Sequence, residues 1–229
     1  GSSINRLDFK MGNFLKLWTV IPVKPLNRAK SRLKEVLSAE QRYELAQMML
    51  RRVLHVVSDV PLIAGTLVIS RDTRALGIAR EYGVMTLQES SPADLNPALM
   101  RATEVLRLRH VDAILILPAD LPFITREEVI ELAESAPDAP GVLLTADQRE
   151  DGTNAMLVSP PGLFEYMYGP GSFERHRVAA RLAGAEVKIH VSSGLQLDID
   201  VPEDLEEYNQ RLHQGHYEAL TPFLPDQTT

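Results

Sequence analysis

Residues 112–122, which read DAILILPADLP, contain the strongest indication of the fold. Residues 112–117 form an apolar run without polar alternation, which is typical of a strand buried on both faces of a parallel sheet. Two prolines follow, Pro118 and Pro122, with a single carboxylate, Asp120, between them. Because open α/β sheets bind ligands beyond the carboxyl ends of their strands, Asp120 is the first candidate for a functional residue.

Strand-type runs and amphipathic stretches alternate on both sides of this segment. The strand-type runs lie at residues 15–23, 65–70, 84–87, 112–117, 141–146, 154–159, 187–191 and 195–198. Helical periodicity covers residues 38–58, 72–82, 97–109, 125–135, a stretch after 172, and 202–212. This alternation predicts an α/β fold, a single Rossmann-like domain whose mostly parallel sheet has helices on both faces.

Length and composition are those of one globular domain. The chain has 229 residues, of which 45% are hydrophobic and 24% charged. We expect the domain to span residues 15–213, with an irregular tail at 214–229 and a cloning remnant or flexible N-terminus at 1–14, where Met11 is a candidate start. With no cysteine, the chain has no disulfide, zinc–thiolate site or cysteine nucleophile. No apolar run reaches about 18 residues, so we expect a cytoplasmic protein without a membrane partner.

The net charge of −7 argues against a nucleic-acid partner, but the positive charge is concentrated in one loop. Residues 24–34 follow the first strand-type run and hold Lys24, Arg28, Lys30, Arg32 and Lys34 with no acidic residue. Such a loop can surround a polyphosphate; the alternative is a solvated basic surface at the start of a helix. It is not a Walker loop, since the glycines and the Lys-Ser/Thr pair of that motif are missing.

Acidic residues follow two of the strand-type runs. Asp120 suits Mg²⁺, which prefers one or two carboxylates together with substrate phosphates and water, although it could also cap a turn. In residues 197–205, LDIDVPEDL, we expect Asp198 and Asp200 to face opposite sides. One would then face a metal while the other caps the helix that begins at Pro202.

Two glycine-containing turns add groups that could hold an anion. Residues 151–154 read DGTN, and residues 169–172 read GPGS just before a helix. Glycine permits close backbone approach, and a helix N-terminus with a serine hydroxyl favours an anion. Each turn is ordinary by composition, but together they could bind a small phosphorylated acid. We expect His176 to lie near this site and to help bind a carboxylate.

Taken together, these segments resemble the guanylyltransferases of deazaflavin coenzyme F-420 biosynthesis, over about residues 18–212. The resemblance rests on PVKPL at 22–26, AKSRL at 29–33, LN at 95–96, DLP at 120–122, GT at 152–153, GP at 169–170 with Ser172, and DIDVP at 198–202. The first motif is the most specific. Ala119 is a departure, because relatives often have glycine before this aspartate.

The resemblance implies a reaction and a site. Family members join the GMP of GTP to the phosphate of a three-carbon acid: phosphoenolpyruvate, 2-phospho-L-lactate or 3-phospho-D-glycerate. By the resemblance, Asp120 and Asp198 hold Mg²⁺ with Asp200 beside them, the choice between Asp198 and Asp200 staying open. The remaining implied site residues are Lys24, Lys30 and Arg32 for the triphosphate and catalysis, Asn96 near the guanine, and Thr153, Gly169 and Ser172 for the acid.

Two other functions remain open at this point. One is a related nucleotidyltransferase for a sugar phosphate or the molybdenum cofactor; against it, such enzymes usually have a glycine-rich first loop, and residues 24–32 contain no glycine. The other is a non-catalytic nucleotide-binding protein, which loss of the metal carboxylates would indicate, and they are present. The helix at 38–58 could also form a homodimer, although a helix buried within a monomer would show the same pattern.

Overall fold

The computed structural model describes residues 16–90 and 94–214, and within these ranges seven strands pair into one sheet. The strands are β1 (Leu17–Val23), β2 (Ile63–Ser70), β3 (Met85–Gln88), β4 (Ala113–Ile116), β5 (Gly141–Ala146), β6 (Thr153–Ser159) and β7 (Glu186–Ile189). Their order across the sheet is β3-β2-β1-β4-β6-β5-β7. The predicted α/β class is confirmed. The predictions for residues 1–14, including Met11, and for residues 215–229 of the tail lie outside the described residues.

The direction of β6 determines which residues meet at the edge of the sheet. The pairs β1–β2, β1–β4, β2–β3 and β5–β7 are parallel, whereas β6 runs antiparallel to both β4 and β5. An antiparallel strand begins at the edge where its parallel neighbours end. Thr153 and Asn154, the first residues of β6, therefore lie at the same edge as the loops that follow β1 and β4.

Helices cover both faces of the sheet, as the alternation predicts. On one face α1 (Ala39–Ser58), α2 (Thr73–Glu81) and α4 (Arg126–Glu134) pack into one apolar cluster. On the other face α3 (Leu95–Arg107) and α5 (Ser172–Leu182) pack into a second. In β4, Leu115 belongs to the first cluster while Ile114 and Ile116 belong to the second. Burial on both faces explains why this strand shows no polar alternation.

The segment before the last helix corrects one prediction. In place of a strand at residues 195–198 the structure has the short helix α6 (Ser193–Gln196), and residues 197–200 lead on to α7 (Pro202–His213) without belonging to a strand. Leu197 and Ile199 are buried in a third apolar cluster with residues of α1 and α7. The apolar alternation in this segment therefore attaches a loop to the core instead of adding a strand to the sheet.

Two helix starts agree with their capping signals. The Ser38 hydroxyl accepts a hydrogen bond from the Gln41 backbone N–H at 3.1 Å, and the Gln41 side chain accepts one from the Ser38 N–H at 2.9 Å. At α4 the Thr125 hydroxyl accepts a bond from the Glu128 N–H at 3.2 Å. Both helices therefore begin where the sequence predicts.

The apolar side of α1 is buried within the chain, in the first and third clusters. The homodimer expected through this helix stays a prediction. Among the described residues, no helix combines the length and the apolar character needed to cross a membrane.

Candidate functional site

Two adjoining cavities open at the edge where β1 and β4 end. The first has a volume of about 460 Å³ and includes Asp120, Thr153 and Asp198 in its wall. The second has a volume of about 620 Å³ and extends toward β2 and β3. Both fall in the size range of small-molecule sites. The residues shared by the two cavities are Pro22, Val23, Lys24, Arg28, Leu95 and Tyr168.

The basic loop after β1 is held over these cavities by contacts with the next strand end. The Ser70 hydroxyl donates to the Val23 carbonyl at 2.7 Å, and the Leu26 N–H donates to the Asp72 carboxylate at 2.8 Å. Leu26 is itself buried in the first apolar cluster. The loop is therefore fixed at its base, and Lys24 and Arg28 line both cavities.

Lys30 connects the basic loop to Asp120. Its ammonium group lies 2.5 Å from Asp120 Oδ2, and the side chains of both residues are largely buried. Its backbone is in the left-handed region, with φ of 60°, which is uncommon for a residue other than glycine and costs about 1 kcal/mol or more. An uncommon backbone conformation at a buried ion pair indicates that the position of the Lys30 side chain matters for the site.

Asp198 lies beside this ion pair and is held by Asn154. The Asn154 amide donates to the carbonyls of Leu195 and Gln196, at 3.0 and 2.9 Å, and to Asp198 Oδ1 at 3.2 Å. Burial, and next the negative charge of Asp120, raise the pKa of Asp198 to about 6, while the Asn154 bond and Lys30 oppose the rise. Two carboxylates thus repel each other near one ammonium group, which is ion-paired with Asp120.

The expectation that Asp198 and Asp200 face opposite sides is wrong. Both line the first cavity. Side chains two residues apart in extended chain lie on the same side, and burial of Leu197 and Ile199 turns both carboxylates toward the cavity. The expected capping role belongs instead to Asp204, whose carboxylate accepts bonds from the backbone N–H groups of Asp200 and Val201 at 2.9 and 3.0 Å.

The donor set at this position fits Mg²⁺. Among the described residues no group of three or more potential metal-binding side chains comes together. Mg²⁺ at phosphate sites is commonly held by one or two carboxylates, with substrate oxygens and water as the other ligands. Asp120 and Asp198, which repel each other, provide such a pair. Asp200 is the weaker candidate, because its Oδ2 accepts a bond from Arg32 Nη1 at 2.8 Å.

The two glycine-containing turns come together beside the first cavity. The Thr153 hydroxyl lies 3.2 Å from the Ser172 hydroxyl, and both side chains are buried. The Gly171 N–H donates to the Asp151 carboxylate, and the Phe173 N–H donates to the Asp151 carbonyl. Those two amides at the start of α5 are therefore engaged by the protein, and Thr153 is the member of the group that lines the cavity.

Glycine is required in the second turn. Gly169 and Gly171 have φ of 125° and 73°, values that side-chain-bearing residues rarely adopt. Gly169 lines the second cavity. A third expected residue, Asn96, fixes the same turn: its amide donates to the Tyr168 carbonyl at 3.2 Å and accepts from the Tyr168 N–H at 2.8 Å. Asn96 lies at the second cavity with its polar atoms bonded to this backbone.

His176 lies behind Thr153 and is fully buried. Its Nε2 accepts a bond from the Met167 N–H at 2.8 Å, so the ring proton is on Nδ1. Nδ1 then donates to the Thr153 hydroxyl oxygen at 2.9 Å, which leaves the Thr153 hydrogen for Ser172 or for a ligand. The expectation that His176 helps bind a carboxylate is therefore modified: both ring nitrogens are engaged by the protein, and the ring orients Thr153.

The protonation of His176 gives a prediction about stability. Burial, and next the charge of Arg175, lower the pKa of His176 to about 4, below the value near 6.5 of an unfolded chain. Between these values the unfolded chain binds a proton that the folded protein does not, so the free energy of unfolding falls as the pH falls. The loss attributable to His176 should total about 3 kcal/mol from pH 7 to pH 4.

The measurement is urea unfolding of the wild type and of His176→Gln across this pH range. The glutamine amide does not titrate, so the stability difference between the two proteins should shrink as the pH falls toward 4. Titration of all other groups is common to both proteins and cancels in the difference. Two curves that stay parallel would contradict the buried neutral histidine.

Three residues have structural roles that go beyond what the sequence predicts: Asn154 is predicted only as part of the DGTN turn, Asp204 only as an acidic residue favoured at the start of the last helix, and Glu89 has no predicted role. Asn154 directly follows Thr153 at the start of β6, and its position next to a predicted site residue was the available signal. Asp204 is the third residue of a helix begun by Pro202, a usual position for a capping carboxylate. Glu89 directly follows β3 and is buried in the wall of the second cavity. Nothing in the local sequence pattern indicates that burial.

Comparison with known proteins places these features in a family. The family model described as "Guanylyl transferase CofC like" matches residues 17–218. The phosphoenolpyruvate guanylyltransferase of Rubrobacter xylanophilus is 38% identical over 191 residues, covering 83% of this chain and 92% of that protein. The 2-phospho-L-lactate guanylyltransferase of Methanocaldococcus jannaschii is 30% identical over 194 residues, covering 84% of this chain and 82% of that protein.

The fold is also found in proteins of distant sequence. The crystal structure of 4-diphosphocytidyl-2C-methyl-D-erythritol synthase from Anaerococcus prevotii matches with a TM-score of 0.60 at 10% identity, covering 90% of this chain and 99% of that one. At this identity the match supports the architecture alone. The family model and the two relatives cover most of the described domain, and this chain therefore belongs to the CofC-like guanylyl transferase family.

Proposed function

We propose that this protein transfers GMP from GTP to the phosphate of phosphoenolpyruvate, releases pyrophosphate, and requires Mg²⁺. In line with the family, we assign the reaction to coenzyme F-420 biosynthesis in the cytoplasm. Phosphoenolpyruvate is chosen because several of the similar relatives carry that name, including the one from Rubrobacter xylanophilus. 2-Phospho-L-lactate and 3-phospho-D-glycerate are the acids to test beside it.

One observation carries the proposal. Lys30, Asp120, Thr153 and Asp198 come from four separate segments and line a single cavity. The combination of ammonium, paired carboxylates and an oriented hydroxyl suits two anionic reactants that must approach each other. A site for a neutral ligand would not need paired carboxylates beside a cluster of cations.

The proposed reaction needs no covalent intermediate with the protein. An oxygen of the acid's phosphate attacks the α-phosphorus of GTP in line and forms a new phosphorus–oxygen bond. The bond from the α-phosphorus to the bridging oxygen breaks, and pyrophosphate leaves with its electron pair. The protein therefore acts by positioning the reactants and neutralising their charge. Mg²⁺, when bound, would supply positive charge shared between the phosphates.

Each group of residues then has a part in this step. Asp120 and Asp198 would hold the metal, with Asp200 as a neighbour paired to Arg32. Lys24, Lys30 and Arg32 stabilise the charge that develops on the leaving pyrophosphate. Arg28, which lines both cavities, is in position to contribute to the same charge. On the acid side, Thr153 offers a hydroxyl whose direction is set by His176, and Ser172 and Gly169 complete the turn behind it.

The test of the proposed function is a panel of nucleotides and acids with pyrophosphate release as the readout. GTP, ATP and CTP are each combined with phosphoenolpyruvate, 2-phospho-L-lactate and 3-phospho-D-glycerate, with and without Mg²⁺. We expect release with GTP and phosphoenolpyruvate and only with Mg²⁺ present. Release with none of the three acids would contradict the proposal, and release with another nucleotide or acid would reassign the substrate.

The Thr153→Val variant tests the acid side of the site. Valine keeps the shape of the side chain but removes the hydroxyl, so a hydrogen bond to an anionic substrate is lost. Such a bond is worth about 1.5–3 kcal/mol, so the KM for the acid should rise about 10-fold or more while the KM for GTP changes little. Steady-state kinetics with each substrate varied in turn gives both values.

Two variants serve as controls for Thr153→Val. Thr153→Ser keeps a hydroxyl and should retain most of the affinity for the acid. Thr145→Val removes the hydroxyl of another buried strand threonine, one whose Oγ1 has no hydrogen-bond partner among the described residues, and should leave both KM values unchanged. Equal changes in KM for the acid and for GTP in Thr153→Val would contradict a specific role on the acid side.

A further inference from the structure

The second cavity contains a buried carboxylate that the proposed reaction does not use. Glu89 lines this cavity, and its side chain is only 4% exposed. Its Oε1 accepts a bond from Arg101 Nη1 at 3.2 Å, and the Arg101 side chain is half-exposed. Among the described residues Oε2 has no hydrogen-bond partner. A buried carboxylate with one long contact to an exposed arginine is only partly compensated, which is unusual in a folded protein.

The cavity around Glu89 has the features of a nucleobase site. Its wall includes apolar side chains on which a flat ring can lie, among them Val23, Ile69, Leu95 and Ala98. It adjoins the first cavity through Lys24 and Arg28, so a base in this cavity and phosphates in the other would share one basic boundary. The backbone of Glu89 is fixed to the end of β2, since its N–H donates to the Ser70 carbonyl at 3.0 Å.

A carboxylate can distinguish guanine from adenine and cytosine by the hydrogen-bond donors that each base presents. The Watson–Crick edge of guanine presents two adjacent donors, N1–H and the N2 amino group, and an ionised carboxylate offers two acceptor oxygens and no donor. Adenine and cytosine each pair one donor with one ring acceptor at this edge, so a carboxylate oxygen would face an acceptor. We propose that the Glu89 carboxylate accepts hydrogen bonds from the N1–H and N2 amino groups of the guanine ring. The second cavity would then be the site that selects the base of GTP. This inference rests on the proposed function.

The experiment compares GTP with ITP, which lacks the N2 amino group but is otherwise the same, in the wild type and in Glu89→Gln. A glutamine amide has one acceptor and one donor, so its amino group would oppose one of the two guanine donors. The base of ITP has no N2 amino group, so the glutamine amino group would not face a donor there. We expect the kcat/KM ratio of GTP to ITP to fall at least about 10-fold in the variant, mainly through loss of activity with GTP.

Further variants separate base recognition from a structural role for the Glu89–Arg101 ion pair. Glu104→Gln removes one negative charge as well, but from an exposed residue of α3 that pairs with Arg107. It should keep the wild-type kcat/KM ratio of GTP to ITP. Thermal unfolding of Glu89→Gln reports any loss of stability, which by itself would lower turnover of both nucleotides equally. A ratio that stays at the wild-type value would overturn the proposal. Asp94, an exposed residue directly before α3, is the other carboxylate that lines the second cavity among the described residues. A fall in the ratio in Asp94→Asn, with no fall in Glu89→Gln, would also overturn the proposal.

Calorimetric binding makes the result independent of the reaction. If the wild type binds GTP more tightly than ITP and Glu89→Gln does not, the base-specificity site holds even if the acid acceptor proves to be different. If the wild type releases pyrophosphate from GTP, and both proteins prefer GTP over ITP to the same degree, the inference about Glu89 fails while the proposed function stands. Absence of GTP binding to the wild type would overturn both.

Discussion

Replacing Asp120 with asparagine is expected to lower kcat for nucleotide transfer by at least about 10²-fold and to raise the Mg²⁺ concentration needed for half-maximal rate. The amide keeps the size of the side chain but removes the negative charge with which Asp120 would hold the metal. It also leaves the Lys30 ammonium without the carboxylate that lies 2.5 Å from it. Pyrophosphate release measured over a series of Mg²⁺ concentrations gives both quantities.

Asp59→Asn is the matched control for this variant. Asp59 caps the end of α1, before β2 begins, and its carboxylate lies 3.4 Å from Arg126. It lies at the opposite edge of the sheet, so the same change of charge there should leave the rate and the Mg²⁺ requirement unchanged. Near-normal turnover with an unchanged Mg²⁺ requirement in Asp120→Asn would remove Asp120 from the proposed metal site.

Replacing Lys30 with methionine should lower kcat by about 10²- to 10³-fold, the usual cost of removing a group that stabilises charge in a transition state. The ammonium is largely buried beside Asp120, at the wall of the cavity, and its loss removes the positive charge that offsets the repulsion between Asp120 and Asp198. Methionine keeps the length and apolar stem of lysine. The effect should therefore come from charge and not from packing.

Lys34→Met provides the comparison within the same loop. Lys34 is exposed and does not belong to either cavity wall, yet its replacement changes the net charge of the protein by the same amount. We expect Lys34→Met to keep most of the wild-type rate. Similar losses in the two variants, both relieved at high ionic strength, would mean that the loop acts through its overall charge and that Lys30 has no specific part.

Much of the architecture follows from local patterns. The apolar run at 112–117 and the amphipathic stretches around it predict the α/β fold and helices on both faces, because burial on both faces leaves a direct trace in the sequence. The capping pairs that begin at Ser38 and Thr125 define two helix starts, because a cap is formed by residues only three positions apart in the chain. The one wrong element, a strand at 195–198, shows the limit of such patterns, since apolar alternation is equally suited to attaching a loop to the core.

The candidate site could be predicted only in part. Proximity to strand ends selects Lys30, Asp120, Thr153 and Asp198, and the structure brings all four to one cavity. Their individual roles depend on contacts that span most of the chain: Lys30 meets Asp120 across 90 residues, and Asn154 holds Asp198 across 44. Local periodicity contains no information about such pairs.

The class of fold, the basic loop at 24–34 and the carboxylates that follow the predicted strands can all be predicted from the sequence, because these features depend on residues close together in the chain. The tertiary structure alone decided the direction of β6, which brings the start of that strand to the edge where β1 and β4 end. It also decided that Asp198 and Asp200 point toward the first cavity, through the burial of Leu197 and Ile199, and that Glu89 is buried beside the second. Each of these is set by how distant segments pack, since strand order and direction fix which side chains can meet.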